Sequence, residues 1–182
     1  MDRELVERAQ RGDREAFALM VRAIAHHLHG VAYRILRDHD AAQDALQQAL
    51  IDTWNGLPGL RDPDRAEAWC YRLLVRSACR EARRRRQVTT VREMPVERVD
   101  GADFAATVAL QDQIERGFRR LDPEHRAVLV FRFYRDLSVP EIAEIMGTPV
   151  GTAGSRLHHA LRQLRAAIEA DAREPIGWGQ PA

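Results

Sequence analysis

Lysine is missing altogether from this 182-residue chain, and all 28 basic residues are arginine. A coding bias toward G and C explains that more cheaply than a binding preference does, so the arginine count alone supports nothing. Cysteine occurs twice, as Cys70 and Cys79. Nine residues apart, they form neither a CxxC pair nor a disulfide framework, and both are expected to be reduced and partly buried. His26, His27 and His29 have no second ligand pair at a spacing that would complete a zinc site, so no metal is expected. There is no glycine-rich phosphate loop, no nucleophile beside a base and no ligand cluster. Those absences exclude the enzyme classes they serve, and no catalytic residue or cofactor is expected. No apolar run reaches the length a bilayer needs, and the opening MDRELVERAQRGD has neither an apolar core nor a cleavage pattern. A cytoplasmic chain without membrane insertion is the expectation.

What is present is helical patterning throughout. Length and apolar content suit two small cores, and the expected fold is all-α: two small helical domains joined by an acidic flexible linker, the C-terminal one a helix-turn-helix. The boundaries fall at residues 1–87, a linker at 88–108, 109–171, and a flexible tail at 172–182 containing Trp178.

The C-terminal half is the more explicit. Ser138-Val139-Pro140-Glu141 reads as a capping box with proline in the first turn, so a helix starts there. Ile142, Ala143, Ile145 and Met146 give it a buried face. Gly147 stops it as a left-handed cap, and Thr148-Pro149 starts the next helix with a hydroxyl cap. In that helix Val150, Ala153, Leu157, Ala160, Leu161, Leu164 and Ile168 form an apolar stripe. Thr152, Ser155, Arg156, His159 and Arg162 fall on the other side. No acid interrupts residues 145–168. A face of hydroxyls, arginine and histidine without acids suits a phosphate-lined major groove.

In the N-terminal half, apolar spacing predicts helices over Asp2–Gln10 (ended at Gly12), Asp13–Leu36, Asp40–Trp54 and about Asp64–Arg86. In the third, Ala42, Ala45, Leu46, Ala49 and Leu50 face inward, and Asp44, Gln47, Gln48 and Asp52 face out. Residues 57–63 form a loop by their proline and glycine punctuation. The fourth is anchored by Trp69, Leu73 and Leu74 and carries Arg72, Arg76, Arg80 and Arg83 as a stripe. Seven arginines meet one acid over Arg72–Arg86, whereas Val91–Glu115 holds six acids and two arginines. The stripe is expected to be unable to neutralise itself, leaving a nucleic-acid strand as its counter-ion, and the acidic stretch to be a solvated connector.

With those residues in place, the chain resembles the extracytoplasmic-function (ECF) sigma factors of bacterial RNA polymerase, within the sigma-70 family. The resemblance spans roughly Phe17–Ile168. It is most specific where Leu121-Asp122-Pro123-Glu124-His125-Arg126, Leu137-Ser138, Ala143-Glu144-Ile145, Val150-Gly151-Thr152 and Ser155-Arg156-Leu157-His158 look like region 4. Asp44 and Gln47 resemble the core-polymerase contact of region 2, and Trp69, Tyr71 and Arg72 its tryptophan-led minus-10 helix.

The resemblance implies a promoter-specificity subunit with three surfaces. Asp44, Gln47 and Gln48 would dock on core RNA polymerase. Arg61, Asp62, Trp69, Arg72, Arg76, Arg80 and Arg83 would hold the single-stranded minus-10 element as it opens. Thr152, Ser155, Arg156, His159 and Arg162 would read the minus-35 duplex. An anti-sigma partner is implied as well. The family usually carries lysine where Gly154 stands and commonly arginine where His159 stands, which implies weaker phosphate affinity on this recognition helix. The competing reading from the residues is a stand-alone dimeric helix-turn-helix regulator, which explains the C-terminal half but leaves the Arg72–Arg86 stripe and the Asp44 face idle.

Overall fold

The computed structural model describes residues 1–88 and 105–173, and every regular element among them is helical. Of the expected connector 88–108, residues 89–104 lie outside the described residues, as do residues 174–182 of the expected tail, Trp178 among them, while residues 172 and 173 belong to the last helix.

Aspartates start the first three helices. Asp2 caps α1 (Arg3–Gln10) by accepting from the Glu4 N–H at 2.9 Å, and Asp13 caps α2 (Arg14–Leu36) by accepting from Glu15 and Ala16 at 3.0 Å each. Asp38 accepts from Ala41 at 2.8 Å at the head of α3 (His39–Gly56). Each satisfies N–H groups that have no partner inside the helix. Between α1 and α2 the chain turns through Gly12 at φ 89°, a left-handed conformation glycine adopts without strain. The proline-rich stretch after α3 forms two single 3₁₀ turns, Leu57–Gly59 and Pro63–Arg65, before α4 (Ala66–Val88).

The C-terminal half begins with α5 (Ala105–Arg120), so the last part of the expected connector is helical. Its final acid, Glu115, is not solvated surface as the charge pattern suggested. It holds Arg37 through both carboxylate oxygens, one at 2.7 Å, and Arg119 at 2.9 Å. Then come α6 (Pro123–Leu129), running on into a wide turn at Val130–Tyr134, α7 (Val139–Met146) and α8 (Val150–Arg173).

Helices α2, α3 and α4 pack on one another, while α5, α6 and α7 pack on α8. The two sets also share one continuous core. Leu74, Val75 and Ala78 of α4 are buried together with Val128, Phe131, Ile142 and Ile145 of the C-terminal half, and the Tyr71 ring meets Phe131 edge-on at 5.7 Å. A large side chain buried as fully as Phe131 contributes about 1.5–3 kcal/mol. A smaller cluster of Val6, Ala9, Ala16, Met20, Leu57 and Ala66 fixes α1 and the first 3₁₀ turn against α2.

Candidate nucleic-acid interface

The helix-turn-helix forms as its caps require. The Ser138 N–H donates to Glu141 at 2.8 Å, and the Ser138 hydroxyl lies 2.5 Å from the same carboxylate. Those bonds hold the Glu141 carboxyl below the usual glutamate range. Gly147 ends α7 at φ 63°, its N–H reaching the Ala143 and Glu144 carbonyls. The restart differs from expectation. Thr148 does not cap α8: its hydroxyl is buried without a partner among the described residues, and the Pro149 carbonyl accepts from Thr152 and Ala153 at 2.9 and 3.0 Å. Pro149 is the residue flanking the helix, which leaves Thr148 one position too early to cap it.

On α8, Thr152, Ser155, His159 and Arg162 are all exposed. Ser155 donates to the Thr152 carbonyl at 3.0 Å, and Arg162 lies 3.0 Å from His159 Nδ1. Ala153 and Ala160 are buried as the stripe predicts, but Val150 and Leu161 are 52% and 42% exposed. Val150 opens the helix, and Leu161 lines a surface groove with Phe133 and Tyr134. Arg156 departs from the polar face. Its side chain is only 21% exposed and pairs with Glu124 at 3.0 Å.

The α4 stripe is the larger correction. Two of its four arginines, and Arg85 and Arg86 beyond them, pair with acids from other elements. Arg80 pairs with Asp52 of α3 at 2.9 Å, and Arg83 with Glu124 of α6 at 3.3 Å. Arg85 pairs with Asp38 at 2.8 Å and Arg86 with Asp122 at 3.0 Å. Arg84 and Arg85 share Glu81, and that pairing holds its carboxyl below the usual range. Arg72 donates to the Glu144 carbonyl, with its guanidinium beside Gly147. Trp69 is half-buried against Gly56, where an added Cβ would sit 3.0 Å from the indole. Arg61, Asp62 and Arg76 are exposed, and Asp62 accepts from the Asp64 N–H at 3.1 Å. A cleft of about 530 Å³ brings Arg76, Arg80 and Arg83 of α4 together with Arg156 of α8.

Asp44, Gln47 and Gln48 are exposed along one face of α3, and Gln48 donates to Asp52 at 2.9 Å. Arg84 and Arg85 of α4 pair with Asp44 at 3.9 and 3.8 Å, so this face is exposed but in contact with the arginines of α4.

Glu124 and Glu144, named in the sequence only for their resemblance to region 4, both cross to the N-terminal half. Arg126 is 7% exposed, and burial pulls its guanidinium down to about 10. Cys70 and Cys79 are free and buried, which pushes both thiols up to about 11. Among the described residues no three His, Cys, Asp or Glu side chains gather as a metal site requires, and His29 stacks on His39 instead. No helix among them is long and apolar enough to cross a membrane.

The sequence matches the family descriptions "Sigma-70 region 2" over residues 20–88 and "Sigma-70, region 4" over residues 117–166. It is 32% identical to RNA polymerase sigma-H factor of Pseudomonas aeruginosa, covering 95% of this chain and 96% of that protein. It is 30% identical to the ECF RNA polymerase sigma factor SigM of Mycobacterium tuberculosis over 90% of this chain and 82% of that one. Among solved structures, CnrH in complex with the cytosolic domain of CnrY superposes with a TM-score of 0.66 at 25% identity, over 93% of this chain and 98% of that chain.

Proposed function

The chain belongs to the ECF sigma factors of the sigma-70 family, and on that premise we propose how its surfaces divide the work of promoter recognition. It is an RNA polymerase sigma factor that binds core polymerase and directs promoter-specific initiation. Sigma factors are non-catalytic initiation factors, and we read this chain as having no catalytic residue of its own.

The minus-35 duplex is assigned to α8. The observation that carries this is the exposed, acid-free row Thr152, Ser155, His159 and Arg162 beginning one turn after the Gly147 bend. Hydroxyls and a guanidinium there reach phosphates and base edges together. The single-stranded minus-10 element is assigned to the turn carrying Arg61 and Asp62 and to Trp69, Arg72, Arg76, Arg80 and Arg83 on α4. A strand entering there exchanges the carboxylates of Asp52 and Glu124 for its own phosphates. Core polymerase is assigned to Asp44, Gln47 and Gln48, an outward polar face backed by Ala41, Ala45 and Ala49 in the core.

CnrH, the structural neighbour, is held by the cytosolic domain of another protein. We infer a protein partner of the anti-sigma kind for this chain also, and a cytoplasmic location beside the polymerase.

The test is capture of the purified chain on core RNA polymerase, followed by transcription from a promoter library with the reconstituted enzyme. Core binding and initiation from a defined promoter set are expected. A chain that ignores core and binds duplex DNA as a dimer would overturn the assignment of the N-terminal half.

A further inference from the structure

We propose that α1 is a clamp on the loop that holds the minus-10 strand, and that Gln10 is the positioning residue through which it sets the loop's base preference. This rests on the reading of the turn with Arg61 and Asp62 as part of the minus-10 element. It adds a helix that lies ahead of residues 20–88, the stretch that matches region 2.

The loop between α3 and α4 consists of the 3₁₀ turns Leu57–Gly59 and Pro63–Arg65 with Leu60, Arg61 and Asp62 between them. Turns this short fix little of their own geometry. What joins them is α1. Half-buried Gln10, the last residue of that helix, donates from Nε2 to the Leu57 carbonyl at 3.2 Å and to the Leu60 carbonyl at 2.7 Å. A side-chain amide has two N–H groups, so one residue holds both carbonyls. At the far end of the loop Arg3 pairs with Asp64 at 2.7 Å.

Apolar contacts reinforce the same attachment. Leu57 is fully buried among Val6, Ala9 and Met20, and Leu60 and Trp69 pack against that cluster. The frame is itself fixed, because Arg8 of α1 holds Asp13, the cap of α2, at 2.7 Å. Arg61 and Asp62 are left exposed on a backbone whose course α1 determines. Groups that hydrogen-bond a base discriminate only while they are held in place. A loop released from Gln10 keeps Arg61, and with it the attraction to phosphate that every sequence shares. Release of the clamp therefore costs preference among bases more than affinity for the strand.

The experiment uses the full chain with Gln10→Ala, Gln10→Glu or Gln10→Lys. The probes are single-stranded minus-10 oligonucleotides that differ at one base, drawn from promoters that the wild-type holoenzyme selects. Fluorescence anisotropy gives the ratio of affinities for the preferred and the disfavoured base. An added or lost charge acts on both alike and cancels in that ratio. Gln10→Glu keeps the size but removes the donor, whereas Gln10→Lys restores a donor of similar reach. The clamp predicts a ratio roughly fivefold lower in Gln10→Ala and Gln10→Glu, from hydrogen bonds of ordinary strength, and near the wild-type value in Gln10→Lys. An unchanged ratio in the first two overturns the proposal. So does an equal loss in all three, which a purely structural helix end would give. If the Gln10 variants do not fold, Arg3→Gln decides: its side chain is exposed, and loss of its bond to Asp64 should lower the ratio about twofold. No change there refutes the clamp. Arg61→Ala separates the two readings. Oligonucleotide binding that it leaves unchanged would remove the loop from the minus-10 element, and the clamp with it. A ratio lost in Arg61→Ala but kept in Gln10→Ala overturns the clamp alone.

Discussion

Helices α4 and α8 both carry arginine-bearing polar faces, yet the first is engaged and the second is open. Along α4, Arg80, Arg83, Arg85 and Arg86 each meet a carboxylate from another element. On α8, Thr152, Ser155, His159 and Arg162 point outward, and Arg156 is drawn into a pair with Glu124 of α6. A face is therefore not a site until the element across from it is known. The difference also sorts the two by partner: α4 must release carboxylates to accept a strand, while the row on α8 has none to release.

The strongest way to break the comparison is to put an acid on the open face. Ser155→Glu lies on an exposed helical surface and leaves the fold intact. It is expected to weaken minus-35 duplex binding on the order of tenfold or more by facing a carboxylate to phosphates, as measured by anisotropy. Retained affinity would remove α8 from the groove. A smaller effect sharpens the other side. Asp52→Asn frees Arg80 and should raise affinity for a single-stranded minus-10 oligonucleotide about twofold. Because the pair is largely exposed, denaturant midpoints should move by no more than about 0.5 kcal/mol.

The smallest effect concerns what holds the open face in place. The Glu141 carboxyl is depressed by its bonds from Ser138, so its contribution is fully present above the ordinary glutamate value and is lost as pH falls through its lower, folded-state value. Glu141→Gln should flatten the acid limb of the stability curve of the helix-turn-helix, followed by circular dichroism. An acid limb unchanged by that substitution would mean that the capping box does not set it.

Much of this arrangement is written locally. Asp13, Ser138 with Glu141, and Gly147 mark helix ends from their own sequence neighbourhoods, and those ends appear where they place them, whereas the Asp38 cap sets the third helix slightly ahead of the expected Asp40. The outward row Thr152, Ser155, His159 and Arg162 follows from helical spacing over an acid-free stretch, and the exposed Asp44, Gln47 and Gln48 follow from the alanines behind them. What spacing cannot supply is the opposing element. Arg83 and Glu124 are 41 residues apart, and nothing near either predicts the other. The same holds for Arg65 with Glu144 and for Arg37 with Glu115. Periodicity likewise placed Leu161 in the buried stripe, but Phe133 and Tyr134 leave it in an open groove.

The most direct measurement compares Asp44→Arg with Arg162→Ala in two assays run side by side, affinity for core RNA polymerase and affinity for the isolated minus-35 duplex. The account predicts that Asp44→Arg loses core binding and keeps the duplex, and that Arg162→Ala weakens duplex binding and keeps core. Equal loss of both activities in either variant would contradict the division of labour between α3 and α8.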